Sequence, residues 1–331
     1  MSGLEQAMAA IRDARGIVLS THCNPDGDGI GSQLALYHAL KRAGKRVFMH
    51  NHDGVPRIYR FLPGADEIGE GSEFGAGDVD LIVSLDAGAK SRLGMPEEFF
   101  AGRRLLVIDH HASNQRFGDV NWVDVGACST GAMACELIEG MGWPLTPDIA
   151  TAVYVTVLTD TGGFRNAATS AEALELAARL VRAGARPWPV ACAVYESRSM
   201  GAFRLLRACL DTLQLKDDGR SAWLHVDEAM YRDSGGDEQD TEGFIEYARA
   251  LEGVVVAVFI RPDSGHDGWK VTFRSKALDD AGVDVGALAV SLGGGGHRHA
   301  SGCTLKGSLE EVRARIEQAV SNALQAVEGA R

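Results

Sequence analysis

The segment THCNPDGDGIGS, residues 21–32, puts a histidine and two aspartates into a glycine-rich turn. It lies between the apolar run GIVLS, a predicted strand, and QLALYHALKRAG, a predicted helix. A loop that bound phosphate directly at this position would present backbone N–H groups and the positive end of the helix dipole to the anion. Asp26 and Asp28 would repel that anion. The segment therefore predicts that the two carboxylates hold cations, which then hold a phosphate.

More carboxylates and imidazoles follow later apolar runs. Asp86 ends DLIVSLD, the tripeptide 109–111 ends RLLVIDHH, and Asp160 ends TAVYVTVLTD. If one sheet edge gathers these groups, they must repel one another or take up protons unless cations bind. Two divalent ions would balance four carboxylates. Mixed carboxylate and imidazole ligands favour Mn²⁺ over Mg²⁺, with Zn²⁺, Co²⁺ and Fe²⁺ as further options.

Strand and helix patterns alternate through the first half of the chain. The predicted strands are 16–20, 46–50, 80–86 and 104–111, and the predicted helices are about 29–43, 130–141, 147–158 and 170–184. This rhythm predicts an α/β fold whose N-terminal part is a doubly wound parallel sheet. In such sheets ligands bind beyond the carboxyl ends of the strands. The polar residues named above are therefore expected to meet at one edge.

The pattern changes after residue 186. A helical stretch at about 199–213 leads to the β-branched and aromatic runs SAWLHVD, GVVVAVFIRP and GWKVTFRS, and an amphipathic helix is predicted at 308–327. An active site is expected in a cleft between two domains. The predicted parts are a metal-bearing domain at 1–186, a helical connector at 187–215 and a smaller mixed α/β substrate-binding domain at 216–331.

The composition limits the expected partners and location. The chain has 33 basic and 45 acidic residues, and the resulting formal charge of -12 argues against a protein that binds long nucleic acid by neutralising many phosphates. The six cysteines form no CxxC pair and no signal-like segment opens the chain, which predicts a cytoplasmic protein. No apolar run approaches the roughly 20 residues of a membrane span, so no membrane association is expected.

Four motifs, in order along the chain, resemble those of the DHH phosphoesterases. They are HCNPDGDGIGS, SLDAG, IDHH and LTDTGGF. Downstream, GGGGHRHASG follows TEGFIEYAR and VTFRSK, which together resemble the DHH-associated C-terminal domain of the nanoRNase and pAp-phosphatase subgroup. The two resemblances cover essentially the whole chain.

The resemblance implies a site for two divalent metal ions, Mn²⁺ first, with Mg²⁺ or Co²⁺ as alternatives. One ion would be held by His22, Asp26 and Asp86, and the other by Asp28, Asp86, His110 and Asp160. The pair would activate a hydroxide between them for in-line attack on phosphorus. Asp109 would orient a ligand histidine. His111 would face the substrate phosphate and stabilise charge or assist protonation.

The resemblance also assigns residues to the substrate. The glycine run 293–296, which in isolation predicts only a flexible loop, would form a turn whose N–H groups and His297 close on a terminal phosphate. Arg274 would bind phosphate through its guanidinium fork. Independently of the resemblance, Arg165 is expected to reach substrate because its segment continues directly from Asp160, although the segment fits a helix entry capped at 169 or 170 equally well. The full set is Arg165, Arg274, Ser275, Gly295, Gly296, His297 and Ser301.

These features imply a metal-dependent phosphoesterase that cuts oligoribonucleotides of two to a few residues into mononucleotides. Removal of the 3′-phosphate of pAp is left open as a second activity. One alternative is a phosphodiesterase dedicated to linear or cyclic dinucleotide signals such as pApA and pGpG. The other is a catalytically silent nucleotide-binding regulator, which the intact ligand set disfavours. The expected partners are short RNA, dinucleotides or pAp, and a homodimer is left open.

Overall fold

The computed structural model describes residues 1–69, 78–263, 268–276 and 282–329. The chain divides into two compact units, Met1–Ser197 and Arg198–Arg331. The division falls inside the connector predicted at 187–215. Within the described ranges, no helix has both the length and the apolar character that crossing a bilayer requires.

A parallel sheet organises the first unit, with the strand order β2-β1-β3-β4-β5 over the described residues. Its strands are β1 (Gly16–Ser20), β2 (Arg46–His50), β3 (Leu81–Leu85), β4 (Arg104–Asp109) and β5 (Val120–Val123). The parallel sheet predicted from the alternating pattern is confirmed. The prediction omitted β5, because its four residues VNWV alternate between buried and half-buried positions and give no continuous apolar run.

Helices cover one face of this sheet. They are α1 (Gly3–Asp13), α2 (Gly27–Arg42), α3 (Thr130–Gly140), α4 (Pro147–Asp160), α5 (Ala171–Arg182) and α6 (Pro187–Tyr195). Their apolar sides join Ile17, Leu19 and Val83 in one buried cluster. On the opposite face, a smaller cluster contains Val18 and Ile82. Because both faces are buried, the strands appear in the sequence as continuous apolar runs, which is why they could be located there.

The strand order places a crevice at the carboxyl end of β1. The chain leaves β1 towards β2 on one side and reaches β3 on the other, so the connections diverge at this point. In open α/β sheets this topological switch point is where ligands bind. The turn that precedes α2 and the residue that follows β3, Asp86, both emerge there.

Glycines let α2, α3 and α4 approach one another closely behind the crevice. A Cβ atom on Gly31 of α2 would lie 2.4 Å from the Thr156 side chain of α4. A Cβ atom on Gly131 of α3 would lie 2.1 Å from the Thr156 hydroxyl. The glycines of this region therefore serve close helix packing, which holds the start of α2 and the start of α3 next to each other.

We expect Gly131→Ala to destabilise the first unit. The added methyl group must displace either Thr156 or α3, and overpacking of this kind costs roughly 2 to 3 kcal/mol. Thermal unfolding followed by circular dichroism should show a melting temperature lower by several degrees. Gly140→Ala, in the same helix, is the matched control because its Cβ would meet only the flexible end of Met8. Equal melting temperatures for the two variants would contradict the packing argument.

The second unit contains a mixed sheet with the order β10-β11-β9-β8-β7-β6 over the described residues. Its strands are β6 (Gln214–Lys216), β7 (Ser221–His225), β8 (Val256–Pro262), β9 (Trp269–Ser275), β10 (Gly295–His297) and β11 (Ala300–Leu305). Its helices are α7 (Met200–Leu210), α8 (Glu228–Ser234), α9 (Phe244–Arg249), α10 (Val285–Ser291) and α11 (Leu309–Gly329). Only β7 and β8 run parallel among these pairs. The predicted mixed α/β character of this half is confirmed.

The second half of the glycine run 293–296 belongs to a strand, whereas the sequence predicted a loop or turn for the whole run. Its last two glycines begin β10, which pairs antiparallel with β11 at the edge of the sheet. A Cβ on Gly294 would lie 2.1 Å from the carbonyl oxygen of Gly302, so the hairpin requires a glycine there. The structure therefore gives this run a hairpin-forming role, while the contact with a phosphate that the resemblance implied stays a prediction.

Candidate active site

Asp86 occupies the centre of a cluster of acidic and imidazole side chains at the switch point. It follows β3 with a φ of 57°, in the left-handed region that residues other than glycine rarely adopt. Its N–H donates to the carbonyl of Ile108 in β4 at 3.1 Å, which holds the backbone in this conformation. The side chain is 2% exposed. A strained, buried carboxylate at a strand end is typical of functional sites.

The first group of side chains lies on one side of Asp86. His22 Nε2 is 3.6 Å from Asp86 Oδ2 and 3.8 Å from Asp26 Oδ1. Asp26 is also the N-cap of α2, because its Oδ1 accepts the N–H groups of Asp28 and Gly29. A capping role and a ligand role are therefore compatible in this one carboxylate.

The second group lies on the other side. His110 Nε2 is 3.6 Å from Asp86 Oδ1, 3.5 Å from Asp28 Oδ2 and 3.2 Å from Asp160 Oδ2. The two oxygens of Asp86 thus face different histidines. Asp160 ends helix α4, not a strand, so the rule that polar residues follow strands does not hold for it. A carboxylate at a helix C-terminus is disfavoured by the helix dipole, and a nearby cation would offset that cost.

Asp28 is anchored by residues that the sequence did not reveal. Its carboxylate accepts the backbone N–H groups of Thr130 at 2.7 Å and Gly131 at 2.9 Å, at the N-terminus of α3. The Ser32 hydroxyl adds a third contact at 3.2 Å. Thr130 also donates its hydroxyl to Asp86 Oδ1 at 3.1 Å. The sequence predicted a helix at about 130–141, but it did not indicate that the N-terminus of this helix contacts Asp28 and Asp86.

Both carboxylate oxygens of Asp109 have hydrogen-bond partners, and one of these oxygens contacts the ring of His111. Its Oδ1 accepts the backbone N–H groups of His110 and His111 and lies 2.8 Å from His111 Nδ1. Its Oδ2 accepts the amide of Asn114 at 2.5 Å. Asn114 also donates to the carbonyl of Ala87 at 3.1 Å, which ties this network to the segment after β3. The resemblance implied that Asp109 orients a ligand histidine, whereas the ring that it contacts here is that of His111, and Asn114 was not identified from the sequence.

Burial and mutual contacts shift the pKa values of these groups in opposite directions. Burial would raise the pKa of Asp86, but hydrogen bonding to His22 and the charges of His111 and His110 hold it well below its usual range. Burial lowers the pKa of His22, yet its contacts with Asp26 and Asp86 raise it to about 10. For Asp160, burial outweighs the His110 contact and raises the pKa to about 6. Imidazolium protons therefore balance carboxylate charge here, and a cation would compete with those protons.

The donor set fits divalent metal ions. Among the described residues, three groups of carboxylate and imidazole atoms lie within 4.8 Å of one another in this crevice: His22, Asp26 and Asp86; Asp28, His110 and Asp160; Asp86, Asp109 and His111. Two ligand atoms about 2.1 Å from one ion would be roughly 3 to 3.4 Å apart. The facing donor atoms, at 3.2 to 3.8 Å, are within a few tenths of an ångström of that spacing.

We expect Thr130→Val to weaken metal binding without disrupting the fold. Valine removes the hydroxyl that orients Asp86 but keeps the shape of the side chain and the N–H that binds Asp28. Loss of such an orienting hydrogen bond typically costs about tenfold in metal affinity. Calorimetric titration with Mn²⁺ would measure it. Thr130→Ser, which restores a hydroxyl, should recover most of the affinity. Equal affinity in the valine variant would contradict the orienting role.

The residues assigned to substrate from the sequence have partners of their own. In the second unit, the Arg274 guanidinium contacts Glu246 at 3.2 Å, and the Ser275 hydroxyl lies 3.0 Å from His299 Nδ1. The Ser301 hydroxyl donates to the carbonyl of Val285. Gly295 borders open space, and Gly296 and His297 complete β10.

Arg165, the substrate residue assigned in the first unit, follows the end of α4. Its Nε donates to the carbonyl of Gly162 at 2.7 Å. Ser170, which the sequence offered as a helix cap, is the N-cap of α5 and accepts the N–H of Ala173. The segment thus serves helix entry, whereas the contact of Arg165 with substrate stays a prediction.

Comparison with known proteins identifies the family. The model of the DHH family, N-terminal domain, matches residues 16–157, and that of the DHHA1 domain matches residues 225–325. The chain is 38% identical to the bifunctional oligoribonuclease and PAP phosphatase NrnA of Thermus thermophilus over 313 residues, 93% of this chain and 90% of that protein. The chain belongs to the DHH family. The family membership predicted from the four motifs is confirmed.

Two further proteins are similar to this one over most of the chain. The bifunctional oligoribonuclease and PAP phosphatase NrnA of Bacillus subtilis is 28% identical, with 87% of this chain and 89% of that protein aligned. A crystal structure of an exopolyphosphatase-related protein from Bacteroides fragilis matches with a TM-score of 0.86 at 26% identity, covering 98% of this chain and 97% of that one. Both halves of the chain are therefore represented in its relatives.

Proposed function

We propose that this DHH-family protein is a metal-dependent phosphoesterase that hydrolyses short oligoribonucleotides to mononucleotides and also removes the 3′-phosphate of pAp. The observation that carries the proposal is the central carboxylate of Asp86, whose Oδ2 faces His22 and whose Oδ1 faces His110. The Thermus thermophilus and Bacillus subtilis relatives are bifunctional oligoribonucleases and PAP phosphatases, which supports the substrate class.

Asp86 would be shared by two ion sites. The proposed sets are His22, Asp26 and Asp86 for one ion and Asp28, Asp86, His110 and Asp160 for the other. Mixed imidazole and carboxylate donors favour Mn²⁺, with Mg²⁺ or Co²⁺ as alternatives. When bound, such a pair supplies Lewis-acid stabilisation of negative charge on the phosphoryl group and lowers the pKa of the attacking water.

His111 would act as the general acid. Because its Nδ1 is held by Asp109, its Nε2 is the nitrogen through which it would exchange a proton with substrate. Burial lowers the pKa of His111, but the hydrogen bond to Asp109 outweighs this and raises it, which favours the imidazolium form. As the bond from water oxygen to phosphorus forms and the ester P–O bond breaks, His111 would donate its proton to the leaving oxygen, and the proton lost by the attacking water would pass to solvent.

Several residues are proposed to bind the rest of the substrate: Arg165, Arg274, Ser275, Gly295, Gly296, His297 and Ser301. The guanidinium of Arg274, now paired with Glu246, would exchange that carboxylate for a phosphate. The formal charge of -12 supports a preference for short substrates, because a protein with net negative charge offers few basic groups to bind the many phosphates of a long RNA. No disulfide links the six cysteines, all in the described ranges, which supports a cytoplasmic location.

Product analysis by chromatography would test the proposed function. Metal-stripped protein with added Mn²⁺ would receive pGpG, pAp and a 24-nucleotide RNA in separate reactions. We expect rapid conversion of pGpG to GMP and of pAp to AMP, with the long RNA nearly intact. Intact pGpG would refute the oligoribonuclease activity, and equal degradation of the long RNA would refute the length preference. The same reactions with a chelator in place of Mn²⁺ serve as the control.

A further inference from the structure

Arg92 lies beside the proposed first ion site and belongs to neither ligand set nor to the proposed substrate-binding residues. It belongs to the single turn Lys90–Leu93, which follows Asp86 along the chain. Its carbonyl accepts the N–H of Cys23 at 2.6 Å, so its backbone is attached to the loop that carries His22. Its side chain is exposed. The position is therefore fixed by the backbone, while the guanidinium can reach solvent or a ligand.

The guanidinium and a backbone carbonyl compete for the same atom of His22. Arg92 Nη2 is 3.0 Å from His22 Nδ1, and the carbonyl oxygen of Cys23 is 2.9 Å from it. A ring nitrogen either carries a hydrogen and donates or offers a lone pair and accepts. Nδ1 can satisfy the carbonyl only as a donor and the guanidinium only as an acceptor. One of the two contacts must therefore give way.

The chemistry of the ion site decides which contact remains. His22 Nε2 points towards Asp26 and Asp86, so a metal would bind through the lone pair of that nitrogen. The remaining hydrogen of a neutral imidazole is then on Nδ1, and a ligand histidine typically donates it to a carbonyl. The Cys23 carbonyl is in place to accept it. Arg92 cannot donate to an N–H group, so its guanidinium must turn away from His22.

The guanidinium carries a positive charge next to the proposed first ion site. Among the described residues, no carboxylate lies within ion-pair distance of Arg92, whereas Arg274 is paired with Glu246. A guanidinium and a divalent ion repel each other, because both carry positive charge. An anion between the two positive centres removes this repulsion. The anion that the proposed reaction brings to this place is a phosphate.

We propose that Arg92 binds a non-bridging oxygen of the phosphate group that the metal centre holds. The inference rests on the proposed function for its substrate, but the recognised group, a phosphate beside bound metal, is common to phosphodiesters and phosphomonoesters. A guanidinium suits this position because its fork donates two hydrogen bonds and stays charged at any working pH. The residue would contribute to substrate binding and to stabilisation of charge on the phosphoryl oxygens.

The test compares Arg92→Gln and Arg92→Lys with Arg182→Gln, an exposed position on α5. Binding of inorganic phosphate to the Mn²⁺-loaded proteins would be measured by calorimetry, after Mn²⁺ binding alone. We expect Arg92→Gln to bind phosphate about 10- to 100-fold more weakly, as for loss of a charge-assisted hydrogen bond. Mn²⁺ binding should be unchanged or tighter, Arg92→Lys intermediate, and Arg182→Gln like the unmodified protein.

Two results would overturn the proposal. Equal phosphate affinity in Arg92→Gln and Arg182→Gln would show that the guanidinium does not contact the anion. Loss of Mn²⁺ binding in Arg92→Gln would show that the side chain positions His22 instead. Turnover of pGpG by the unmodified protein is scored separately, so failure of the proposed function and failure of the Arg92 role give different outcomes. If the role holds, kcat/KM for pGpG should fall with phosphate affinity.

Discussion

Asp86→Asn should abolish turnover while leaving the fold intact. The substitution keeps the size of the side chain but removes the charge that both ion sites would share. Asparagine also tolerates the left-handed backbone conformation at this position, whereas alanine would add strain. We expect kcat/KM for pGpG to fall at least about 1,000-fold, equivalent to about 4 kcal/mol of transition-state stabilisation. Native mass spectrometry should show fewer Mn²⁺ ions per chain.

Asp218→Asn is the matched control for this experiment. Asp218 has a φ of 56°, almost the same as Asp86, but it is exposed in a turn of the second unit. The same chemical change in the same backbone conformation should leave activity and metal content unchanged. An Asp86→Asn protein that kept both its Mn²⁺ content and its turnover would remove the shared-ligand assignment. Far-ultraviolet circular dichroism would establish that each variant is folded.

The parts of the fold that could be predicted are those with a continuous local signal. Strands β1 and β2 have the bounds predicted from their apolar runs. Strand β1 is buried on both faces, which leaves no polar interruption, and the edge strand β2, although only partly buried, keeps the apolar run VFM. The meeting of Asp28, Asp86 and His110 followed from the rule that the carboxyl ends of parallel strands share one edge. Local pattern and general topology were sufficient for these residues.

The remaining features depend on contacts between distant segments. The anchoring of Asp28 by Thr130 joins positions 102 residues apart, and nothing near either residue indicates the pairing. Asp160 reaches the site from the end of a helix, a placement that the strand-end rule does not provide. The hairpin formed by 295–305 follows from strand pairing that four glycines alone do not specify. Each case requires knowledge of which elements pack together.

Asp109→Asn should reduce both stability and activity. The buried carboxylate accepts donors on both oxygens, from His110 and His111 on Oδ1 and from Asn114 on Oδ2. The amide of an asparagine in its place must point its NH₂ group at one of these donors. The two facing donors then lack an acceptor, which lowers the free energy of unfolding by roughly 2 to 4 kcal/mol. Loss of the charge beside His111 should lower kcat by about 10- to 100-fold. Denaturant unfolding and steady-state kinetics would measure the two effects.

Exchanging the residue types at positions 109 and 114 reverses the direction of the hydrogen bond between these two side chains. In the double variant Asp109→Asn/Asn114→Asp, the new amide can donate to the new carboxylate while its oxygen still accepts from His110 and His111. We expect unfolding stability to recover only in part, because the carboxylate introduced at position 114 would also face the Ala87 carbonyl that now accepts from Asn114. Activity should stay low, since a neutral amide cannot stabilise the imidazolium of His111.

A double-mutant cycle that includes the single variant Asn114→Asp quantifies the coupling between the two side chains. A double variant no more stable than Asp109→Asn would show that Asn114 does not hold the carboxylate. Recovery of activity in the double variant, whose position 109 carries no charge, would remove the role of Asp109 in supporting His111. Because stability and activity are expected to respond differently to the exchange, the experiment separates the packing contribution of this buried network from its electrostatic contribution to the reaction.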